Sequence, residues 1–141
     1  MIAYFDTSAL LKLVVAEVAS DTARLLWRRS GEIVVSRLAW PEAVGALAAA
    51  RRGQQLTSAG HAAATRALWS CFERCIVVSV ADPLTDRAAE LAAGYHLRAA
   101  DAIHLATAMA ALESDSIFIT WNKRLRQAAT RAGLVTAPAE V

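Results

Sequence analysis

Residues 2–10, Ile2-Ala3-Tyr4-Phe5-Asp6-Thr7-Ser8-Ala9-Leu10, decide the fold. Four apolar residues end at an acid, and two hydroxyl residues precede a run of helix formers. That order predicts a buried strand opening into a helix with a polar cap at Thr7-Ser8. A strand apolar on both faces belongs at the centre of a sheet. Working outward, Ala9 to Ala16 continues the helix, and Ser20 or Asp21 caps a second helix that reaches Arg29 and stops at Ser30-Gly31. Glu32 to Ser36 is a β-branched second strand. Trp40-Pro41-Glu42 opens a long alanine-rich helix, with proline in its first turn, and Gly53 ends it.

The remaining chain keeps the same rhythm. Thr57-Ser58 restarts helix through Phe72, Cys75 to Val80 reads as a third strand, and Asp82-Pro83 starts a helix to Tyr95. After a break over 94–97, a helix runs from about Ala99 to Leu112, and Ser116 to Thr120 forms a fourth strand. Asn122 to Arg131 is a short helix capped by Gly133, with Leu134-Val135 as a last short strand. Strands alternating with helices, without hairpin signals, predict an α/β fold: a mostly parallel, four- to five-stranded sheet covered on both faces by helices. One domain is expected over residues 1–141, with its core over about 2–135 and a short polar C-terminal tail.

Composition narrows the function. Of 141 residues, 56% are hydrophobic and 20% charged, which excludes intrinsic disorder. Lys plus Arg exceed Asp plus Glu by 15 to 13, too small an excess for binding polyanions through bulk charge, so any nucleic-acid contact must be local. The mean hydropathy of +0.34 comes from alanine-rich helices. Ala43 to Ala50 and Ala102 to Leu112 fall short of the ~20 apolar residues that cross a bilayer. Met1 to Phe5 has no basic leader and runs into Asp6, so a cytoplasmic protein without membrane association is expected. Cys71 and Cys75 lack zinc-site spacing and read as reduced packing residues. His61, His96 and His104 have no partner at ligand spacing, and His104, in an apolar helix, reads as a core or hydrogen-bonding residue.

Parallel sheets place ligands outside the carboxyl ends of their strands. Asp6 ends the first strand, Glu42 opens the helix after the second, and Asp101 opens the helix before the fourth, so the three acids can converge at that edge. Taken singly, each is also an acid favoured at a helix start by the macrodipole. Together without a cation they repel, and Mg²⁺ or Mn²⁺ is the partner that suits an all-carboxylate set.

Tyr4-Phe5-Asp6-Thr7-Ser8-Ala9-Leu10-Leu11-Lys12-Leu13 resembles the opening of PIN-domain proteins, particularly the VapC-type toxins of bacterial toxin–antitoxin pairs. Asp101-Ala102-Ile103-His104-Leu105-Ala106-Thr107-Ala108 resembles that family's central Asp helix. Phe118-Ile119-Thr120-Trp121-Asn122-Lys123-Arg124-Leu125 resembles its Thr-x-Asp-x-x-Leu strand end, and Glu42 falls where the family keeps its glutamate. The resemblance runs from Ile2 to about Leu134. It implies a three-layer α/β/α sandwich and an endoribonuclease using Mg²⁺ or Mn²⁺ to activate water, which leaves 5′-phosphate and 3′-hydroxyl ends. It further implies a homodimer, or a higher-order toxin–antitoxin complex, neutralised by a cognate VapB-type antitoxin.

Carried over by position, Asp6, Glu42 and Asp101 match the acidic triad. Asn122 departs from the pattern, since the family usually has a fourth acid there, and the amide puts a second tight metal site in doubt. One metal is therefore expected on Asp6 and Asp101, with Glu42 ligating directly or through water. Asp115 lies at the wrong end of its strand to substitute. Thr7, Ser8 and Thr120 border the acids and are expected to orient water or phosphate, or to act as caps. Arg98, Lys123, Arg124 and Arg126 are candidate phosphate contacts, and Trp121 alone of four tryptophans stands beside a motif, where it can stack a base.

Two other classes compete. A haloacid-dehalogenase-type phosphatase would need Asp-x-Asp where this chain has Asp6-Thr7-Ser8. A degenerate domain that binds RNA or protein without catalysis would explain Asn122, but the retained Asp6, Glu42 and Asp101 argue against it.

Overall fold

The computed structural model describes residues 1–139; residues 140 and 141 of the expected tail lie outside the described residues. In chain order the elements are β1 (Ile2–Phe5), α1 (Thr7–Val14), α2 (Ser20–Arg29), β2 (Glu32–Ser36), α3 (Ala39–Arg52) and α4 (Ser58–Glu73). They continue with β3 (Ile76–Val78), α5 (Asp82–Tyr95), α6 (Ala99–Ala111), β4 (Ser116–Ile119), α7 (Lys123–Arg131) and β5 (Thr136–Ala137). The strands form one sheet in the order β3-β2-β1-β4-β5, and every pairing is parallel.

The period of two along a strand sorts side chains between the layers. Ala3 and Phe5 of β1 join Ile33, Val35 and Ile119 on one face, packed against Leu10 of α1, Leu47 of α3 and Leu68 of α4. Tyr4 joins Val34 and Phe118 on the other face, under Leu91 of α5, Leu105 of α6 and Leu125 of α7. The result is a three-layer α/β/α sandwich with β1 at its centre, as the continuous apolar run Ile2 to Phe5 requires.

The strand order reverses at β1: β2 and β3 extend the sheet one way, β4 and β5 the other. The crevice at such a switch point lies outside the carboxyl ends of the strands. Here those ends are Phe5 and Ile119, which are paired partners.

Four local expectations need correction. The N-cap of α2 is Ala19, at φ 70°, with no side-chain cap, so neither Ser20 nor Asp21 caps that helix. Asp6, not Thr7-Ser8, is the N-cap of α1, because its carboxylate accepts from the Ala9 N–H. The third strand stops at Val78, since its neighbour β2 ends at Ser36 and offers no further ladder. The last strand is Thr136–Ala137 rather than Leu134-Val135. Gly133, at φ 93°, and Leu134 are used up closing α7, where the Leu134 N–H bonds the Ala129 carbonyl. Among the described residues no helix is long and apolar enough to cross a membrane.

Leu68, with 0% exposure, lies midway along α4 against the sheet. Leu68→Ala should cost about 2–5 kcal/mol in urea unfolding. Ser70→Ala, two residues on and solvent-exposed, should stay within about 0.5 kcal/mol.

Candidate active site

Asp6 follows β1, its backbone N–H still held by the Ile119 carbonyl of β4 at 3.2 Å. The side chain is 3% exposed, and its oxygens are claimed by fixed donors. Oδ1 accepts from the Ser8 hydroxyl at 2.7 Å and the Ala9 N–H at 2.9 Å. Oδ2 accepts from the Thr120 hydroxyl at 2.5 Å. Burial raises the carboxyl above its ordinary pKa, while His104 and the Ser8, Thr120 and Ala9 donors pull the other way.

Thr120 passes the network on. Its oxygen accepts the Asn122 N–H at 3.0 Å. Asn122 caps α7 by accepting the Leu125 N–H through Oδ1, and its Nδ2 donates to Asp101 Oδ1 at 3.1 Å. Ser8 makes a parallel tie by accepting the Trp121 N–H at 2.8 Å. Asp6 and Asp101, 95 residues apart by number, are thus joined through Thr120 and Asn122. The amide that departs from an acidic pattern is itself a donor to an acid.

Glu42, in the first turn of α3, receives the Thr7 hydroxyl on Oε1 at 2.7 Å, and His104 Nε2 lies 2.6 Å from the same oxygen. Burial pushes the Glu42 carboxyl up, but the His104 and Thr7 hydrogen bonds outweigh it and hold the group below its ordinary value. His104 Nδ1 lies 2.6 Å from the Tyr4 hydroxyl. Sequence reasoning placed His104 among hydrogen-bonding or core residues and assigned Tyr4 no polar task. The available signal was spacing: His104 stands one turn after Asp101, and Tyr4 faces the α6 side two residues before Asp6.

Each acid keeps acceptor capacity. Glu42 and Asp101 are anchored through one oxygen, Oε1 and Oδ1, whereas Asp6 is held through both, and its Oδ2, with the single Thr120 donor, keeps one lone pair. Among the described residues no three His, Cys, Asp or Glu side chains gather closely enough to ligate one ion directly. The donor set nevertheless fits a hard divalent cation. Mg²⁺ takes oxygen ligands, keeps several waters and is commonly held by one or two carboxylates.

The other candidates divide. Arg98, just before α6, and Lys123 and Arg124, at the start of α7, are exposed at the carboxyl edge. Arg126 instead donates to the Ala139 carbonyl and is tied to the C-terminal segment. Trp121 is half-buried against the core, with Lys12 Nζ 5.6 Å from its ring centroid, so it is no open stacking face. Trp27 packs edge-on against Phe5, and Trp40 against Trp69 and Phe72. Asp115 precedes β4 at the opposite edge. Cys71 and Cys75 are free thiols, and burial pushes Cys75 up to about 12.

Comparison with known proteins adds four findings. The PIN domain family matches residues 3–131. Ribonuclease VapC45 of Mycobacterium tuberculosis is 38% identical over 138 residues, which cover 98% of this chain and 96% of that protein. Among solved structures, PAE2754 from Pyrobaculum aerophilum superposes with a TM-score of 0.70 at 21% identity, covering 96% of this chain and 83% of its own. A toxin–antitoxin complex from Klebsiella pneumoniae does so with a TM-score of 0.64 at 22% identity, covering 99% of each chain.

The raised carboxyl of Asp6 sets a pH dependence. An acid whose folded pKa exceeds its unfolded value favours folding while protonated, and that contribution is lost as pH rises through the folded value. Metal-free wild type should therefore lose stability relative to Asp6→Asn as pH climbs above the ordinary aspartate range, with the gap closing in acid. Glu42 titrates in both proteins and drops out of the difference. Urea denaturation of both across that window checks this; parallel curves would contradict it.

Proposed function

The chain belongs to the PIN-domain family, and from that premise we propose that it is a VapC-type endoribonuclease, the toxin of a toxin–antitoxin pair. It cleaves RNA with Mg²⁺ or Mn²⁺ and is neutralised by a cognate VapB-type antitoxin. The observation that carries the reading is the hydrogen-bonded chain from Asp6 through Thr120 and Asn122 to Asp101, set at the sheet's carboxyl edge beside exposed Arg98, Lys123 and Arg124. The ribonuclease relative, matched along nearly its whole length, supports it. In this reading the chain is one domain acting in the cytoplasm, away from membranes, as a homodimer or within a larger toxin–antitoxin complex.

Asp6 and Asp101 would hold the cation, with Glu42 ligating through water. When bound, the cation supplies positive charge to the phosphoryl oxygens and acidifies water. The protein's own groups do the rest. Arg98, Lys123 and Arg124 position the RNA backbone by phosphate contact. Glu42, its carboxyl kept ionised by His104 and Thr7, accepts a proton from the attacking water through its free Oε2. Ser8 and Thr120 keep Asp6 from turning, so its open lone pair stays aimed at the crevice. In-line attack leaves 5′-phosphate and 3′-hydroxyl ends. Asn122 lowers the site's negative charge by one relative to an acid there, which favours a single tightly held cation.

Purified protein incubated with total RNA should yield discrete fragments with Mg²⁺ or Mn²⁺, and none with EDTA or with Asp6→Ala or Asp101→Ala. Identical cleavage by Asp6→Ala would mark a contaminant and overturn the assignment. Asn122→Asp keeps a cap for α7 but loses the donor to Asp101 and adds a charge beside it. Its metal-free form should melt lower and its Mn²⁺ affinity should rise, by calorimetry. Unchanged affinity would place residue 122 outside the reach of the ion.

A further inference from the structure

His104 is 2% exposed and is met by polar groups at both ring nitrogens. A carboxylate oxygen can only accept, so Nε2, at 2.6 Å from Glu42 Oε1, must carry a hydrogen. In the neutral ring Nδ1 is then an acceptor, and the Tyr4 phenol, 2.6 Å away, donates to it. With the ring neutral the row runs in one direction, Tyr4 O–H to Nδ1 and Nε2–H to Glu42, and the Thr7 oxygen also lies 3.2 Å from Nε2. The Thr7 hydroxyl donates to the same Oε1 and fills its second lone pair. Tyr4 is itself held, stacked on Phe118 with ring centroids 5.2 Å apart and planes 8° from parallel.

The row crosses the molecule. Tyr4 and His104 belong to the α5–α7 side of the sheet, and Glu42 to α3 on the other side. The Glu42 side chain is 31% exposed, and a free glutamate at such a place samples several rotamers.

We propose that Tyr4 and His104 are positioning residues that lock the Glu42 carboxylate with Oε1 turned inward and Oε2 outward, so that the glutamate meets a divalent cation or its hydration shell through one oxygen only. The proposal rests on the nuclease reading of Asp6, Glu42 and Asp101. The ring does not touch RNA or metal; it acts through Glu42 and fixes an orientation that Thr7 alone leaves free to pivot.

Three variants separate this from a packing role. In His104→Gln the amide nitrogen reaches the place of Nε2 and keeps the donor to Glu42. In His104→Asn the amide reaches only the place of Nδ1 and loses it, although a similar group is buried. Tyr4→Phe keeps the ring on Phe118 and removes the donor that fixes the imidazole tautomer.

Calorimetric Mn²⁺ titration of metal-free protein, with kcat and KM for RNA cleavage, reads the outcome. His104→Asn and Tyr4→Phe should weaken Mn²⁺ binding roughly 10–100-fold and lower kcat with little change in KM. His104→Gln should retain most of both. In a Glu42→Ala background, His104→Asn should cost no further Mn²⁺ affinity. Wild-type affinity in His104→Asn, or an equal loss in the Glu42→Ala background, would overturn the relay while leaving the nuclease intact. Should His104→Asn not fold, Tyr4→Phe carries the same test. A wild type that neither binds Mn²⁺ nor cleaves RNA would sink the nuclease reading, and the relay with it.

Discussion

The parallel pairing of β1 with β4 is the constraint on which the site depends. Tyr4 faces Phe118 and Phe5 faces Ile119 across the ladder, so the residues that follow, Asp6 and Thr120, leave the sheet side by side. A slip of one residue would turn Tyr4 toward the wrong helical layer and part the Asp6 carboxylate from the Thr120 hydroxyl. Burying a carboxylate is costly without donors, and this pairing supplies one from β4 while the first turn of α1 supplies two more. The carboxyl is held there because sheet register and helix start agree on its position.

Above that edge polar contacts tie the helices together both across and within the layers. His104 of α6 reaches across to Glu42 of α3 over the end of β1, and Asn122 joins α7 to Asp101 of α6 within one layer. Buried polar networks of this kind are stabilising only when fully satisfied. Tyr4, Thr7, Ser8 and Thr120 supply the satisfaction, which is why small hydroxyl side chains crowd a place where larger apolar ones would pack more tightly.

Much of this was legible in the chain. β2 spans Glu32–Ser36 and α4 begins at Ser58 after Thr57, where β-branched runs and hydroxyl caps place them. The three acids stand at a strand end and at two helix starts on the expected edge, because local signals and the switch-point rule are both short-range arguments. What escaped depends on tertiary distance. His104 contacts Tyr4 and Glu42 at separations of 100 and 62 residues, and no helical period encodes either. The cap of α1 was misplaced by a residue or two because Asp, Thr and Ser compete for that position almost equally, and only burial favoured Asp6. Arg126 and Trp121 look like their neighbours in sequence but point to other partners.

Asp6 and Asn122 share one further property: each is both the cap of a helix and a member of the polar chain at the edge. Mutational drift at such positions is confined, since most replacements cost about 1 kcal/mol of cap stability in addition to any effect on chemistry. Asparagine and aspartate are near-equals as caps. Exchange between them therefore adds or removes one charge at the crevice while the helix keeps its cap, the cost falling on the polar chain rather than on the helix start.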